Sequence, residues 1–355
     1  MTKDRLFLDI HLIQTLPPSN VNRDDTGSPK TAQYGGVTRA RVSSQSRKRA
    51  VRKYFNEECN LENQGIRSRD IVNYLAEKIL DLDSGKSKDE ALKLAEETLN
   101  KAKISTKDQK VKALFFISNK QATDLAQAAI DGIKDKKTLQ AILKDNPSID
   151  ISLFGRMVAD DPSLNEDASC QFAHAISTHA IEREFDYFTA VDDLAKKDNA
   201  GAGMLGTIEY NSSTVYRYAN IALHELKQQL DDEDLYSYAA GLFVEAFIKS
   251  MPTGKINSFA NQTIPKAILL TLREDRPLNL VTAFENPIKS KEGYEKISTQ
   301  RLLDENNKYE KMLGDAKYKS CIIAYDMDVE NIDTRTDSVK DLVEDIKEKI
   351  KEELS

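Results

Sequence analysis

Strand-like segments near both ends of the chain are separated by a long stretch that contains almost only helix-like patterns. Residues 68–146 repeat Leu, Ile and Ala at three- and four-residue spacing, which is typical of packed helices. Residues 5–16 alternate apolar and polar side chains, and further strand-like patterns occur at residues 37–42, 210–219, 266–272 and 318–325. An amphipathic helix is expected around residues 235–249. The order predicts an α+β core that is divided in sequence by a helical insertion.

The boundaries of the first elements follow from proline, glycine and serine. The proline pair at residues 17–18 is expected to end the first strand, because proline lacks the N–H that a sheet uses. Residues 19–34, rich in Asn, Asp, Gly and Pro, are interpreted as a loop, and the glycine pair at residues 35–36 as a turn. A serine at residues 43–44 is expected to cap a helix that runs to about residue 55.

Residues 39–53 form a strongly basic stretch on a chain that is acidic as a whole. They contain seven Lys and Arg and no acid, whereas the chain carries a net charge of −7. From residue 325 to the end, eleven acids stand against five cations. This balance indicates a positive site on an acidic body, which fits a polyanionic ligand such as nucleic acid.

The helix predicted in the basic stretch separates a packing face from a charged face. At about 100° per residue, Val51, Tyr54 and Phe55 share one side. An adjacent arc carries the polar residues Gln45, Lys48, Arg49 and Arg52. The exposed N–H groups at the helix start would add donors for a phosphate. The alternative is a solvated face whose arginines pair with distant acids, but seven cations without an acid offer no i,i+4 partners, so phosphate binding is favoured.

Few sequence features point to catalysis or to a metal. The histidines form no evident acid–base pair, and no P-loop, nucleophile elbow or HExxH occurs; they are His11, His174, His179 and His224. The adjacent Asp24 and Asp25 are weak evidence for a metal, because Arg23 and Lys30 compete for their carboxylates. The three cysteines, too far apart for a disulfide framework or a zinc site, are expected to be buried: Cys59, Cys170 and Cys321. We expect no enzyme activity, no metal and no cofactor.

The sequence also argues against a dinucleotide site and a membrane protein. Residues 201–206 fit the pattern GxGxxG but lack a clear strand before and helix after, so we interpret them as a flexible hairpin tip. No apolar run approaches the roughly 20 residues that cross a bilayer. The first apolar stretch is interrupted by Asp9 and His11, unlike the core of a signal peptide. The expected location is the cytoplasm.

Two groups of longer motifs occur in the same order as in a known family. The first group is NRDD at residues 22–25, GG at 35–36 and RVSSQSRKRA at 41–50. The second group is GRM at residues 155–157, HAISTH at 174–179, FTAVDDL at 188–194 and YRYAN at 216–220. Together they closely resemble the CasC (Cse-type) backbone subunit of the type I-E CRISPR Cascade complex. The strong matching covers roughly residues 5–55 and 150–225.

The resemblance implies a hand-shaped α+β protein. Its palm is a modified RNA-recognition-motif (RRM, ferredoxin-like) sheet, which would comprise residues 1–60, 150–183 and 210–355. A helical fingers insertion would comprise residues 61–149, and a thumb hairpin residues 184–209. The acidic segment beyond residue 325 matches no feature of the family.

The resemblance also implies a set of residues that contact guide RNA. Those expected at the sugar-phosphate backbone are Asn22, Arg23, Lys30, Arg41, Ser43, Gln45, Lys48, Arg49 and Arg52. Met157 is expected as an apolar wedge near a kink in the RNA. Phe188, Thr189 and Leu205 are expected on the thumb, where apolar and aromatic side chains insert between bases. Without the resemblance, Met157 and Phe188 would be interpreted as ordinary core residues.

In this family, copies of the subunit line up along the crRNA and kink it at regular intervals. The remaining bases are presented for pairing with target DNA in antiviral defence, together with other Cascade subunits. Two other functions are alternatives: an endoribonuclease that processes guide precursor RNA, and a sequence-specific DNA-binding regulator that uses the basic helix. A regulator of that kind would favour particular base pairs, whereas a backbone clamp would not.

Overall fold

The computed structural model describes residues 5–59, 61–190, 204–327 and 329–354. Its helices are α1 (Ser44–Glu58), α2 (Ile71–Leu82), α3 (Lys88–Lys101), α4 (Asn119–Ile130), α5 (Lys136–Lys144), α6 (Ile149–Phe154), α7 (Leu223–Leu230), α8 (Glu233–Lys249), α9 (Ile256–Phe259), α10 (Glu295–Leu313) and α11 (Val339–Leu354). Short 3-10 helices cover Pro162–Leu164 and Leu280–Phe284. Among these described helices, none is long and apolar enough to cross a membrane.

The strands form one large, mostly antiparallel sheet and two small two-stranded sheets. They are β1 (Phe7–Ser19), β2 (Thr31–Tyr34), β3 (Val37–Val42), β4 (Gly65–Ser68), β5 (Thr106–Lys107), β6 (Lys110–Val111), β7 (Phe115–Ser118), β8 (Cys170–Phe172), β9 (Ala175–Ser177), β10 (Glu184–Ala190), β11 (Met204–Ala222), β12 (Ala267–Arg273), β13 (Tyr318–Ile323) and β14 (Thr334–Arg335). The large sheet has the order β14-β13-β12-β1-β11-β9-β3-β2, and β8 and β10 also pair with β11. The predicted division of a strand-rich core by a helical stretch is confirmed.

Strand β1 is buried on both faces because helices cover both sides of the sheet. Leu8, Ile10 and Leu12 belong to a core with α1, α8 and α11. On the other face, Ile13 joins a core formed with α10 and the 3-10 helix at Leu280–Phe284. The polar residues on that second face are buried as well: Asp9 and His11. Burial raises the pKa of the Asp9 carboxyl to about 7 and lowers the pKa of the His11 imidazole to about 3.

The helical stretch packs around its own core, which includes residues of α2, α3, α4 and α5. Val158 and Leu164 also belong to this core, so its packing extends beyond residue 149. The sequence predicted little strand here, yet two small antiparallel pairs occur: the hairpin of β5 and β6, and the pairing of β4 with β7, which are far apart in the chain. Both are short, which explains why the helical spacing dominated the pattern.

Two predicted boundaries near the N-terminus are wrong. Strand β1 continues through Pro17 and Pro18 to Ser19, with a shift of register between Leu16 and Ser19. Neither proline has a partner in the sheet register, so the missing N–H groups cost no ladder hydrogen bond. The interpreted loop contains β2, which pairs with β3 across the glycine turn. That turn was predicted, and both glycines have positive φ angles.

The C-terminal region also differs from the sequence interpretation. The acidic segment, which matched no feature of the family, contains α11, and its side chains Leu342, Ile346 and Ile350 are buried in the core with α8. Because α11 covers the outer side of α8, that helix is buried on most of its surface, including Tyr236 and Phe243. The amphipathic helix expected around residues 235–249 is therefore a core helix.

The cysteines are all free thiols. Cys170 and Cys321 are buried, as predicted, whereas Cys59 is partly exposed at the end of α1. Burial raises the pKa of the Cys170 thiol to about 12, which keeps it protonated and unreactive at neutral pH.

Candidate nucleic-acid interface

Helix α1 turns one face into the protein and another toward two clefts. Val51 and Phe55 are fully buried in the main core, and Tyr54 is half-buried, as the helical spacing predicted. Gln45 and Arg49 are exposed, and Lys48 is half-buried. No acid lies in the first turn of the helix, and the Ser43 hydroxyl forms no capping hydrogen bond. The positive end of the helix dipole is therefore not neutralised by an acid of the first turn.

The first cleft lies between α1 and residues of the helical stretch and has a volume of about 890 Å³. Helix α1 contributes Gln45, Lys48, Arg49 and Arg52 to it. The opposite side includes Met157, which is 80% exposed. The structure therefore brings five of the sequence-predicted RNA contacts to one cleft, although they come from segments far apart in the chain. An exposed methionine in this position is free to contact a ligand, because it is not used for core packing.

The second cleft lies on the other side of α1 and has a volume of about 520 Å³. It is lined by Asn22 and Arg23 from the loop after β1, by Arg49 and Lys53 from α1, and by residues 251–255. Arg49 lines both clefts. The two clefts are therefore adjacent, and one strand of nucleic acid crossing α1 could enter both.

The remaining backbone-contact candidates are joined by hydrogen bonds at the start of α1. The Ser43 N–H donates to the Asn22 side-chain oxygen at 2.8 Å. The Lys30 N–H donates to the Asn22 carbonyl, and the Arg41 N–H donates to the Lys30 carbonyl, each at 2.9 Å. These bonds fix the loop against the helix start. They also occupy the Asn22 side-chain oxygen, which leaves its NH₂ group as the part that can reach a ligand.

His174 lies beside the start of α1, near Arg41 and Lys30. Its Nδ1 accepts a hydrogen bond from the Ser44 N–H at 3.0 Å. Partial burial and the nearby charges of Arg41 and Lys30 lower the pKa of the imidazole. A neutral ring is the form that can accept this bond. Burial is the main cause of the lowered pKa, and the charges of Arg41 and Lys30, which add to it, would attract phosphate.

The Asp24 carboxylate forms hydrogen bonds within its own loop, the one that follows β1. Oδ1 of Asp24 accepts hydrogen bonds from the N–H and hydroxyl of Thr26 and from the Ser28 N–H. These bonds lower the pKa of the Asp24 carboxyl. Within the described ranges, no group of three or more His, Cys, Asp or Glu is arranged to hold a metal ion.

The basic stretch does not act as one charged surface, which corrects the picture of seven available cations. Arg39 is fully buried and donates to the carbonyls of Tyr34, Ser177, Phe284 and Glu285. Arg47 is also buried. Arg52 pairs with the buried Asp150 at 3.2 Å, and its guanidinium lies 4.3 Å from the ring centre of Phe116. Lys53 pairs with Glu57 at 3.4 Å, an exposed and therefore weak bond. Of the α1 cations that are not fully buried, Lys48 and Arg49 form no ion pair with a carboxylate among the described residues.

The three thumb candidates lie on the β10–β11 hairpin, where Thr189 is opposite Leu205 and Phe188 is opposite Gly206. Leu205 is 58% exposed, but Phe188 is half-buried over Gly206. A β-carbon added to Gly206 would come within 2.4 Å of the Phe188 ring, so the ring covers the glycine. Of the residues interpreted as a flexible hairpin tip, 201–203 lie outside the described part of the chain, whereas 204–206 belong to strand β11 and pair with β10.

Several residues of the first cleft and of the β10–β11 hairpin were not predicted from the sequence. Arg67, Leu114 and Phe116 line the first cleft from β4 and from the end of the β6–β7 segment. Phe185 and Tyr187 are 64% and 63% exposed on the hairpin face opposite Phe188. The alternation of aromatic residues at 185 and 187 was a signal for a shared strand face. No signal in sequence pointed to Arg67 or Leu114, because their position depends on how the helical stretch packs against α1.

Comparison with known proteins identifies the family. Residues 8–349 match the family described as CT1975-like protein, whose name carries the prefix Cas. A search of curated proteins gave no match. A chain from a solved structure titled "CRISPR RNA-guided surveillance complex, pre-nicking" is 32% identical, with 97% of this chain and 100% of that chain covered and a TM-score of 0.86. A chain from a "CRISPR RNA-guided surveillance complex" is 28% identical, with 97% and 99% covered and a TM-score of 0.75.

The shared fold confirms the predicted class, an α+β protein with an RRM-like sheet. Whether the chain is of type I-E stays a prediction, as do the palm, fingers and thumb boundaries and the individual RNA contacts. The family match spans most of the chain, and the 32% identical chain is matched over its entire length. This chain therefore belongs to the CT1975-like family of Cas proteins.

Proposed function

We propose that this chain is the crRNA-binding backbone subunit of a type I-E CRISPR Cascade complex. In this role it binds the sugar-phosphate backbone of guide RNA without reading its sequence. Copies of the chain line up along the RNA, kink it at regular intervals and present the other bases to target DNA. The other partners are the remaining Cascade subunits, and the expected location is the cytoplasm. Two chains of CRISPR RNA-guided surveillance complexes that share the fold support this role.

The observation that carries the proposal is the first cleft. Lys48 and Arg49 form no ion pair within 4.0 Å among the described residues, and Gln45 adds an amide beside them. The cleft also contains the carboxylates of Glu166 and Asp167. Cations on a groove wall follow a phosphate backbone and contribute affinity that falls with salt, independently of base sequence. Met157, mostly exposed in the same cleft, provides an apolar contact that could separate stacked bases.

The experiment is a salt titration of single-stranded RNA binding, followed by fluorescence anisotropy. If one subunit neutralises about five phosphates, log affinity should fall against log salt with a slope of about −3.5, from about −0.7 per phosphate. Replacing Lys48 and Arg49 together by Gln should make the slope shallower by about 1.4, equally for RNAs of different sequence. The matched control is the double variant of Lys266 and Lys289 to Gln, since both are exposed and line neither cleft.

A flat salt response of the unaltered protein would overturn the proposal. A loss confined to one RNA sequence would indicate a base reader instead. Self-assembly is checked on RNAs of increasing length, where the number of bound copies should rise stepwise. A single bound copy at every length would remove the backbone role.

We also propose that the chain does not cleave RNA. His11 and His179 are buried. His174 is exposed and His224 half-buried, and in each of these two the Nδ1 atom already has a partner, the Ser44 N–H for His174 and the Leu6 carbonyl for His224. A general acid or base must reach its substrate, which a buried imidazole cannot do. Incubation of the pure protein with repeat RNA should leave the RNA intact. Specific cleavage that disappears when a histidine is replaced would overturn this part.

A further inference from the structure

The second cleft has a wall that the sequence motifs did not indicate. Residues 251–255 follow helix α8, in a region that resembles the known family only loosely, and they face Arg23, Arg49 and Lys53 across the cleft. Lys255 is the cation of this wall. Three separate parts of the chain thus contribute cations to one groove: the loop after β1, helix α1 and the turn after α8.

The backbone of this wall is fixed in an unusual conformation. Lys255 has a φ of 53°, in the left-handed region that residues with a β-carbon rarely adopt. Gly254 lies against the chain at Val21, and a β-carbon there would come within 2.1 Å of the Val21 carbonyl oxygen. The buried Asn261 donates from its side chain to the Gly254 carbonyl at 3.2 Å. The surrounding contacts therefore hold Lys255 where it is, at a cost in backbone strain.

The charge balance of the cleft is strongly positive. Four cations line it against one carboxylate, that of Asp24. That carboxylate is already occupied by three hydrogen bonds within its own loop. No carboxylate of the described residues lies within 4.0 Å of the Lys255 ammonium. Within the described part of the chain, only Lys53 of the four cations forms an ion pair, with the exposed Glu57, so on a chain with a net charge of −7 this concentration of cations fits a polyanion.

The position of the cleft favours nucleic acid over an acidic peptide. Arg49 lines both clefts, so a strand that follows Lys48 through the first cleft meets the second on crossing α1. A cationic groove that continues from one cleft into the next can follow the backbone of a single-stranded nucleic acid.

We propose that the turn at residues 252–255 is a second wall of the guide-RNA path, and that the Lys255 ammonium binds an RNA phosphate beyond those held at Lys48. This inference rests on the proposed function, and it adds a binding residue that neither the family motifs nor the first cleft contains. The left-handed backbone at Lys255 then has a purpose, because it fixes a cation opposite Arg49.

The test is RNA binding by the full-length protein with Lys255→Gln, using the same single-stranded RNA and the same salt series. Loss of one phosphate contact should make the slope shallower by about 0.7 and lower affinity about fivefold at 0.1 M salt. Lys289→Gln is the matched control, because it removes one exposed lysine that lines neither cleft. Its slope should equal that of the unaltered protein.

A second variant separates binding from folding. Lys255→Gly removes the charge but suits the left-handed backbone better than lysine does, so the protein should be at least as stable to urea. It should nevertheless lose the same affinity as Lys255→Gln. A variant that is stable and binds RNA as tightly as the unaltered protein would overturn the inference.

The outcomes also separate this inference from the proposed function. If the unaltered protein binds RNA with a steep salt dependence and both Lys255 variants match it, the second wall is wrong and the proposed function stands. If the unaltered protein does not bind RNA, both fall. If the Lys255 variants weaken binding of a polyglutamate peptide and leave RNA binding unchanged, the cleft is a protein-docking site and the inference is wrong.

Discussion

Two pairs of cations from the same basic stretch, residues 39–53, differ in their exposure and in their contacts. Lys48 and Arg49 lie at the surface of the clefts without carboxylate partners among the described residues. Arg39 and Arg47, from the same stretch, are buried and cannot reach a ligand. A run of basic residues therefore indicates a positive region but does not say which members can bind. Burial decides which of the cations stabilise the fold and which are available to RNA.

The two buried arginines differ from each other as well. Arg39 has four carbonyl acceptors within hydrogen-bond distance. The terminal nitrogens of Arg47 have no hydrogen-bond partner, and its guanidinium lies against the ring of Phe247, at 4.8 Å from the ring centre. The guanidinium of Arg217 lies 5.0 Å from the same ring. Burial lowers the pKa of Arg47 well below its usual value, and the charge of Arg217 lowers it further. A satisfied buried charge and an unsatisfied one should respond in opposite ways to the same substitution.

The largest expected effect is the loss of stability in Arg39→Met. Methionine fills a similar volume but leaves the carbonyls of Tyr34, Ser177, Phe284 and Glu285 without their donor. We expect the free energy of unfolding to fall by about 3 to 5 kcal/mol. Urea unfolding followed by circular dichroism measures it. A change below about 1 kcal/mol would show that these hydrogen bonds do not hold β3 to the rest of the sheet.

For Arg47→Met we expect the free energy of unfolding to rise instead of fall. This substitution removes a buried charge that has no carboxylate partner in the described residues, and it keeps apolar contact with Phe172 and Phe247. Replacing a buried charge by an apolar side chain of similar volume is often stabilising, so we expect a gain of about 1 kcal/mol or more. RNA affinity should not change, because Arg47 lines neither cleft. A loss of stability comparable to that of Arg39→Met would contradict the distinction between the two arginines.

Arg52→Met tests a residue that shares features with both pairs, because Arg52 is partly buried and also lines a cleft. Arg52 lines the first cleft, yet it also neutralises the buried carboxylate of Asp150. We expect a loss of about 1 to 2 kcal/mol together with a loss of RNA affinity. Adding Asp150→Asn should recover part of the stability, because it removes the unpaired charge, and should not recover RNA binding. Equal recovery of both would show that Arg52 acts only through Asp150.

The parts of the fold that followed from sequence were those with a local signal. The spacing of Val51 and Phe55 gave the buried face of α1, and the glycine pair gave the turn before β3. The prediction that β1 ends at Pro17 and Pro18 was wrong. Proline ends a strand where its missing N–H would be needed for a hydrogen bond to the neighbouring strand, and these two prolines have no partner in the sheet. The core role of α11 was missed because amphipathic spacing shows which face is apolar, and cannot show what covers it.

The candidate interface likewise contains residues that the sequence predicted and residues that it did not. Lys48 and Arg49 followed from the helix period and from the family motifs, whereas Arg67 and Lys255 did not. Residues that meet at a cleft come from segments far apart in the chain, and their meeting depends on packing between elements. The periodicity within one segment carries no information about this packing.

The sequence by itself determined the α+β class, the order of most major elements, the basic helix and the family to which the motifs pointed. Periodicity, turn residues and charge runs act over a few residues, so they can be read without the partner segments. The tertiary structure decided which cations of the basic stretch are exposed, because exposure depends on what packs above each side chain. It alone joined α1 to the turn after α8, since only folding brings residues 49 and 255 to opposite sides of one cleft.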